Sequence, residues 1–235
     1  MAHVEYDEWV RYIERIIERF SATKSPRIFE VGAGTGSLAV LLAESGLSCV
    51  ISDLCPAMAK IARQKGLRVC VSDARSFPVK ARFDLVLFMY DGINYFFTLS
   101  DFTKFFEQAH AVLDENGLLL FDITTQTNSL RYFRNTLDFE DLDKASFVRH
   151  SYYNESDSTQ HNDFTLYLKT PQSGDFFEKQ VERHVQKVFP IHSIQSAVPK
   201  ALFDIVGIWN GYTFSRATAN TERAHFLLKK KAVPK

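Results

Sequence analysis

Between Arg27 and Ser37 the chain reads RIFEVGAGTGS, an apolar strand that empties into glycines at 32, 34 and 36 and then into a helix-forming stretch. No other segment narrows the fold as much. Glycines on alternate positions remove the Cβ atoms that would keep backbone away from a ligand, and they permit the angles of a sharp strand-to-helix turn. Such a turn suits a nucleotide-like ligand, and it belongs to alternating strands and helices.

That alternation continues downstream. Ser37 to Ser45 reads as a helix closed by Gly46, CVISD at 49–53 as a strand, Pro56 to Lys65 as a helix and Arg68 to Ser72 as a third strand. FDLVLFM at 83–89 is a continuous apolar run, which fits a parallel strand covered on both faces. A helix over Phe102 to Leu113 and an Asn116-Gly117 turn lead to a fifth strand, Leu118 to Ile123. The pattern predicts a doubly wound parallel sheet with its ligand at the carboxyl ends of the strands. Ahead of it, Trp9, Val10, Tyr12, Ile13, Ile16, Ile17 and Phe20 recur at helical spacing over Tyr6 to Phe20.

After a helix over Gln126 to Asn135 the period changes. Phe147 to Tyr153, Asp163 to Lys169 and Phe176 to Phe189 alternate apolar and polar residues around the turns Glu155-Ser156-Asp157 and Gln172-Ser173-Gly174, as antiparallel strands do. A helix over Ile191 to Leu202 and strands over Ile205 to Trp209 and Ala224 to Lys229 close the chain. The reading is one α/β domain, 1–139 and 190–235, carrying an antiparallel insertion at 140–189 between the fifth strand and the last helix.

Charge and cysteine usage exclude several classes. The 28 basic and 28 acidic side chains cancel, so no global field gathers nucleic acid or lipid. Cys49, Cys55 and Cys70 show neither metal-ligand spacing nor a disulfide framework, and His150, His161 and His184 lack tight metal spacing, so no metal is expected. No apolar run is long enough to span a membrane, and Met1 to Trp9 is too polar for a signal peptide, which favours the cytoplasm. The many aromatic residues, 21 Phe and 9 Tyr, suggest an aromatic-rich pocket or interface.

A dinucleotide fingerprint needs a glycine where this chain has Ser37. With G-x-G-x-G after Glu30, the turn points instead to S-adenosylmethionine. Asp53, ending the second strand, suits the ribose hydroxyls; Asp73, ending the third, suits an adenine amine, with the Ala74 N–H beside it.

These segments together resemble the class I S-adenosylmethionine-dependent methyltransferases: FEVGAGTG, ISDLCPAM, VSDARSFPV, FDLVLFMYDGINYF and VLDENGLLLFDITT, over residues 27 to 125. The resemblance implies a Rossmann-like seven-stranded sheet with its last strand antiparallel. It implies Glu30, Gly32, Gly34 and Gly36 at the methionine end, Asp53 at the ribose, Asp73 and Ala74 at the adenine, and Leu54, Met58 and Met89 beside the cofactor. The inserted sheet is similar to that of the family's small-molecule N-methyltransferases, which implies a cover for the site or a homodimer interface. YDEWVRYIERI then corresponds to a lid helix, shortened here, whose Tyr6 and Trp9 cover the cofactor. The loop after the fourth strand offers Asp91, Asn94 and Tyr95 to a small-molecule acceptor, an amine or hydroxyl. Asp91, Tyr95 or a histidine of the insertion would serve as base where one is needed. Two rivals stand beside this reading: a cofactor-binding protein without turnover, and a methyltransferase acting on a macromolecule.

Overall fold

A computed structural model describes residues 6–142, 145–169 and 177–232. In chain order the elements are α1 (Tyr6–Phe20), β1 (Arg27–Val31), α2 (Ser37–Glu44), β2 (Ser48–Asp53), α3 (Pro56–Gln64), β3 (Arg68–Val71), β4 (Phe83–Phe88), a 3-10 turn (Gly92–Tyr95), α4 (Leu99–Val112) and β5 (Leu113–Thr124). They continue with α5 (Gln126–Tyr132), β6 (Asn135–Leu142), β7 (Ala145–Asn154), β8 (Thr159–Lys169), β9 (Phe177–Lys187), α6 (Ile191–Ala197), β10 (Phe203–Asn210) and β11 (Arg223–Lys230).

Seven strands form one sheet in the order β10-β11-β5-β4-β1-β2-β3, and β6-β7-β8-β9 form a separate antiparallel sheet. Within the large sheet β11 runs antiparallel to both neighbours, while the strands from β5 to β3 are parallel. The strand order reverses at β1 and β4, so loops leaving their carboxyl ends diverge and open a crevice.

Both faces of the large sheet are covered, which explains the uninterrupted apolar strands. On one face α1 buries Trp9, Tyr12, Ile13 and Ile16 against Leu85, Leu87, Leu120 and Leu227. On the other, Phe29, Phe88, Phe105, Phe106, Phe121 and Phe226 build an aromatic core beneath α4 and α6. The phenylalanine richness is therefore mostly structural, with rings in edge-to-face pairs such as Phe29 with Phe77.

Some boundaries differ from the sequence reading for identifiable reasons. Helix α4 starts at Leu99 because Thr98 and Asp101 form a reciprocal capping box. Strand β5 starts at Leu113 and absorbs the Asn116-Gly117 pair, where Asn116 takes a left-handed φ of 63° and the register against β4 shifts. Strand β6 was not expected. It turns Thr136, Asp138 and Glu140 inward and Leu137 and Phe139 outward, so its alternation carries no apolar inner face to detect. The Gln172-Ser173-Gly174 turn lies outside the described residues. Among the described residues no helix is long and apolar enough to cross a membrane.

Candidate active site

The glycine turn sits at the carboxyl end of β1 with all three glycines in the left-handed region, φ 64° at Gly32, 58° at Gly34 and 74° at Gly36. Sterics separate their roles. A Cβ on Gly36 would lie 2.3 Å from Leu67 Cδ1, and one on Gly32 would lie 2.8 Å from Phe88 Cε2. A Cβ on Gly34 would meet nothing within 4 Å, so this position is open toward the crevice. Its N–H donates to Asp53 Oδ2 at 2.7 Å, while Asp53 Oδ1 accepts from the Cys55 N–H at 2.7 Å. The acid ending β2 thus locks the turn and the start of α3, and its remaining lone pairs face outward from a half-buried carboxylate.

Glu30 is buried within β1, and its Oε2 has no hydrogen-bond partner. Burial, then the charge of Asp53, pushes its carboxyl up to about 8. Tyr6 of α1 lies near Ser37 at the end of the turn and near Glu30; burial raises its phenol above the ordinary value. A cationic methionine end fits this place: a carboxyl lacking a partner, open space over Gly34, and a tyrosine closing from above.

Around the expected adenine end, Asp73 Oδ2 accepts from Arg75 Nη2 at 2.6 Å and Oδ1 from Arg75 Nε at 2.9 Å. Arg75 also reaches Asp101 at 3.0 Å, and its hydrogen bonds hold Asp73 below the usual carboxylate range. An adenine amine would have to share Asp73 with this guanidinium. Leu54 and Met58 are exposed beside the turn, Ala74 is half-buried against the phenylalanine core, and Met89 is buried in the core under α1.

The loop after β4 carries the densest polar chemistry. Tyr90 and Asp91 both take left-handed angles, φ 65° and 48°, which cost energy in residues other than glycine unless their surroundings enforce them. The Asp91 N–H donates to Asp122 Oδ2 at 3.0 Å, Arg223 Nη1 donates to Asp91 Oδ1 at 2.9 Å, and Gln186 Nε2 donates to Asp91 Oδ2 at 2.6 Å. Arg223 also pairs with Asp122. Burial lifts the Asp91 carboxyl and Asp122 adds to it, against the opposing pull of Arg223. Burial would weaken the Arg223 charge, but the two carboxylates overcome it and hold the guanidinium charged.

The insertion is tied to this loop by an ordered chain. Ser129 Oγ donates to Gln160 Oε1 at 2.8 Å, Gln160 Nε2 to Gln186 Oε1 at 3.2 Å, and Gln186 to Asp91. Asn94 is buried, its amide spent on backbone: it accepts from the Thr124 N–H at 3.0 Å and donates to the Lys187 carbonyl at 3.0 Å. Tyr95 is exposed on one side, and its hydroxyl lies 3.0 Å from His184 Nδ1. Across the crevice, Trp9 packs against Tyr90 at 5.5 Å and Tyr212 at 5.7 Å between ring centroids, and Arg223 sits over the Tyr90 ring.

The residues expected at the crevice thus gather at the carboxyl strand ends, except that Met89 lies in the core and Asn94 is occupied by backbone. Asp122, Arg223, Gln186 and Tyr212 join them without having been singled out. Asp122 carries the same signal as Glu30, an acid within an apolar strand. A cavity of about 550 Å³ lined by His192, Lys200, Phe203 and Lys231 is unrelated to this cluster. Phe203 pairs with Lys230, and Lys229 with Leu118, so it lies toward the opposite end of the parallel strands.

Residues 28–117 match the family described as a methyltransferase domain. The putative methyltransferase YqeM of Bacillus subtilis is 25% identical over 98% of this chain and 92% of its own. Residues 28–117 thus carry a methyltransferase domain, on the fold of the class I S-adenosylmethionine-dependent methyltransferases. An S-adenosylmethionine-dependent methyltransferase from Clostridium acetobutylicum superposes with a TM-score of 0.81 at 22% identity, covering 97% of this chain and 93% of that one. The sugar N-methyltransferase KedS8 from Streptoalloteichus superposes at 0.76 and 17% identity, covering 98% and 88%. A malonyl-[acyl-carrier protein] O-methyltransferase from Geobacter sulfurreducens is 33% identical over 50% of this chain and 48% of its own.

Proposed function

We propose that this methyltransferase alkylates a small-molecule amine held between the Tyr90–Tyr95 loop and the inserted sheet. The carrying observation is the chemistry of that space: Asp91 and Asp122 against the single guanidinium of Arg223, under the rings of Trp9, Tyr90 and Tyr212. Acids in excess of the cation, together with aromatic faces, favour a cationic or amine-bearing acceptor over an acidic one. The sugar N-methyltransferases among the structural neighbours are in keeping with such an acceptor.

When bound, the cofactor supplies an electrophilic methyl on a cationic sulfur. The chain's part is alignment and exclusion of water. In this reading Gly32, Gly34, Gly36 and Glu30 hold the methionine end, Asp53 the ribose, and Asp73 and Ala74 the adenine, with Leu54 and Met58 alongside. Tyr6 and Trp9 close over them, and Asp91 and Asn94 fix the loop that presents Tyr95. Asp53→Ala is expected to weaken S-adenosylhomocysteine binding at least 100-fold by calorimetry with the circular dichroism of the fold retained; unchanged affinity overturns the ribose assignment. A panel running from propylamine to amino sugars, with alcohols and carboxylates alongside, tests the acceptor. Methylation of a carboxylate alone would sink the amine reading.

The outer face of the inserted sheet supports a homodimer. Phe139, Val148, Thr165 and Val181 form one cross-strand row, with Phe139 83% and Val181 59% exposed. A two-fold axis along the strands sets Phe139 over the partner's Val181 and Asp141 over the partner's Lys179, so the face complements itself in shape and charge. Phe139→Asp is expected to halve the mass seen by light scattering; a wild-type monomer at micromolar concentration refutes the pairing.

A further inference from the structure

We propose that Tyr95, His184 and Glu182 form a proton relay, in which Tyr95 meets the acceptor amine and the inserted sheet carries its proton to solvent. The inference deepens the amine reading and rests on it. Tyr95 ends the 3-10 turn after β4, and its hydroxyl is 3.0 Å from His184 Nδ1; His184 Nε2 is 3.4 Å from Glu182 Oε2. The pleat of β9 makes this arrangement continuous with the loop. Gln186 and His184 are alternate residues on one face, Gln186 gripping Asp91 and His184 reaching Tyr95.

The loop's carboxylate and amide are already committed. Asp91 is bonded by Arg223 and Gln186, and the Asn94 amide by Thr124 and Lys187. Tyr95 alone combines an exposed side with a titratable partner that leads outward. The groups facing His184 fix its tautomer. Glu182 accepts from Nε2–H, leaving the Nδ1 lone pair to receive the Tyr95 O–H. Across the sheet stand Asn162, its paired residue on β8, and Phe164, whose ring meets the imidazole edge-on at 5.7 Å. Arg149 on β7 lies against Phe164 and is paired with Asp138.

The proton accounting closes. A proton on the acceptor's nitrogen passes to the Tyr95 oxygen as the Tyr95 proton passes to His184 Nδ1. The imidazolium is balanced by Glu182 and releases its proton from a half-exposed ring. The freed nitrogen lone pair forms the bond to the methyl carbon, and the carbon–sulfur pair returns to sulfur. A free Tyr95 phenolate is never required. That matters because burial, then Asp91, pushes this phenol up to about 12.

The test uses the full chain, ¹⁵N-labelled at histidine, with S-adenosylhomocysteine added. His184 is expected as the Nε2–H tautomer, with Glu182→Gln shifting its Nε2 resonance and Tyr95→Phe its Nδ1 resonance. An Nδ1–H tautomer, or ring resonances indifferent to both substitutions, overturns the relay. With the fastest amine of the panel, His184→Gln is expected to lower kcat about 100-fold at pH 7, with the loss shrinking above the pKa of the amine and KM for the cofactor unchanged. A loss equal at every pH marks His184 as structural and refutes the proposal. Failure to bind S-adenosylhomocysteine would strike the cofactor assignment instead, and methylation of a carboxylate alone would strike the amine reading, each distinguishable from the tautomer result.

Discussion

Arg223→Met is expected to be the most damaging conservative-sized substitution in the molecule. The guanidinium is the only cation bonded to Asp91 and Asp122 among the described residues, and the side chain of Asp122 is fully buried. Removing one partner from such a cluster leaves uncompensated buried charge, which costs about 3–5 kcal/mol. In a chain of this size that corresponds to a fall in Tm of roughly 10 °C. The deficit has a predictable pH dependence. Burial already raises the Asp91 carboxyl, and without Arg223 the opposing pull is gone, so the variant loses stability as pH rises past the unfolded value and recovers as pH falls toward it. Thermal unfolding followed by circular dichroism at pH 5 and pH 8 measures this. The triple variant Arg223→Met with Asp91→Asn and Asp122→Asn is expected to regain part of the loss. A fall below about 2 °C, or one that is the same at both pH values, would show that shape rather than charge balance matters here.

Function should suffer separately from stability. Tyr90 and Asp91 hold left-handed backbone angles because Arg223, Asp122 and Gln186 converge on Asp91. With the anchor gone the loop relaxes, and the acceptor end of the crevice is lost. The cofactor end rests on β1, β2 and β3, with no residue of the Asp91 cluster among them.

The two ends of the site also differ in how far they can be read from the sequence. The cofactor end is local: a glycine turn, an acid before it, and acids at the ends of the next two strands fall within 27–74. Each has a backbone reason to be there. The acceptor end is assembled from far apart, since Gln186 lies 95 and Arg223 132 positions from Asp91. A single glutamine on an alternating strand, or an arginine opening one, has no periodic signal of its own. Strand β6 escaped for a related reason. Its inward face carries Thr136, Asp138 and Glu140, with Asp138 paired to Arg149 of β7, so the alternation that marks a core strand is inverted. Only Asp122 was within reach, as a second acid in a buried strand, by the reasoning that singled out Glu30.

Glu30 supplies the second large expectation, and its sign is opposite to that of Arg223. Its carboxyl is fully buried, lacks a partner for Oε2, and is raised from 4.5 to about 8. The folded protein therefore binds a proton that the unfolded chain releases between these values. Below 4.5 both states are protonated and there is no penalty. As pH rises the penalty grows, and it levels off above about 8. Each unit of the shift is worth about 1.4 kcal/mol, so Glu30→Gln is expected to stabilise the ligand-free protein by a few kcal/mol at pH 8.5 and by little at pH 5. Equal changes in Tm at the two pH values would refute the raised acid. Ligand binding gives the complementary result. The proposed occupant brings positive charge to a carboxyl that is mostly neutral at pH 7, so binding should expel the proton. Calorimetry of S-adenosylmethionine at pH 7 in phosphate and in Tris should then give enthalpies that differ by the buffers' ionisation heats, and Glu30→Gln should abolish the difference while weakening binding. A destabilised buried acid before the glycine turn is thus the expected cost of keeping an anion ready for a cationic ligand, and wild-type enthalpies independent of buffer would remove that explanation.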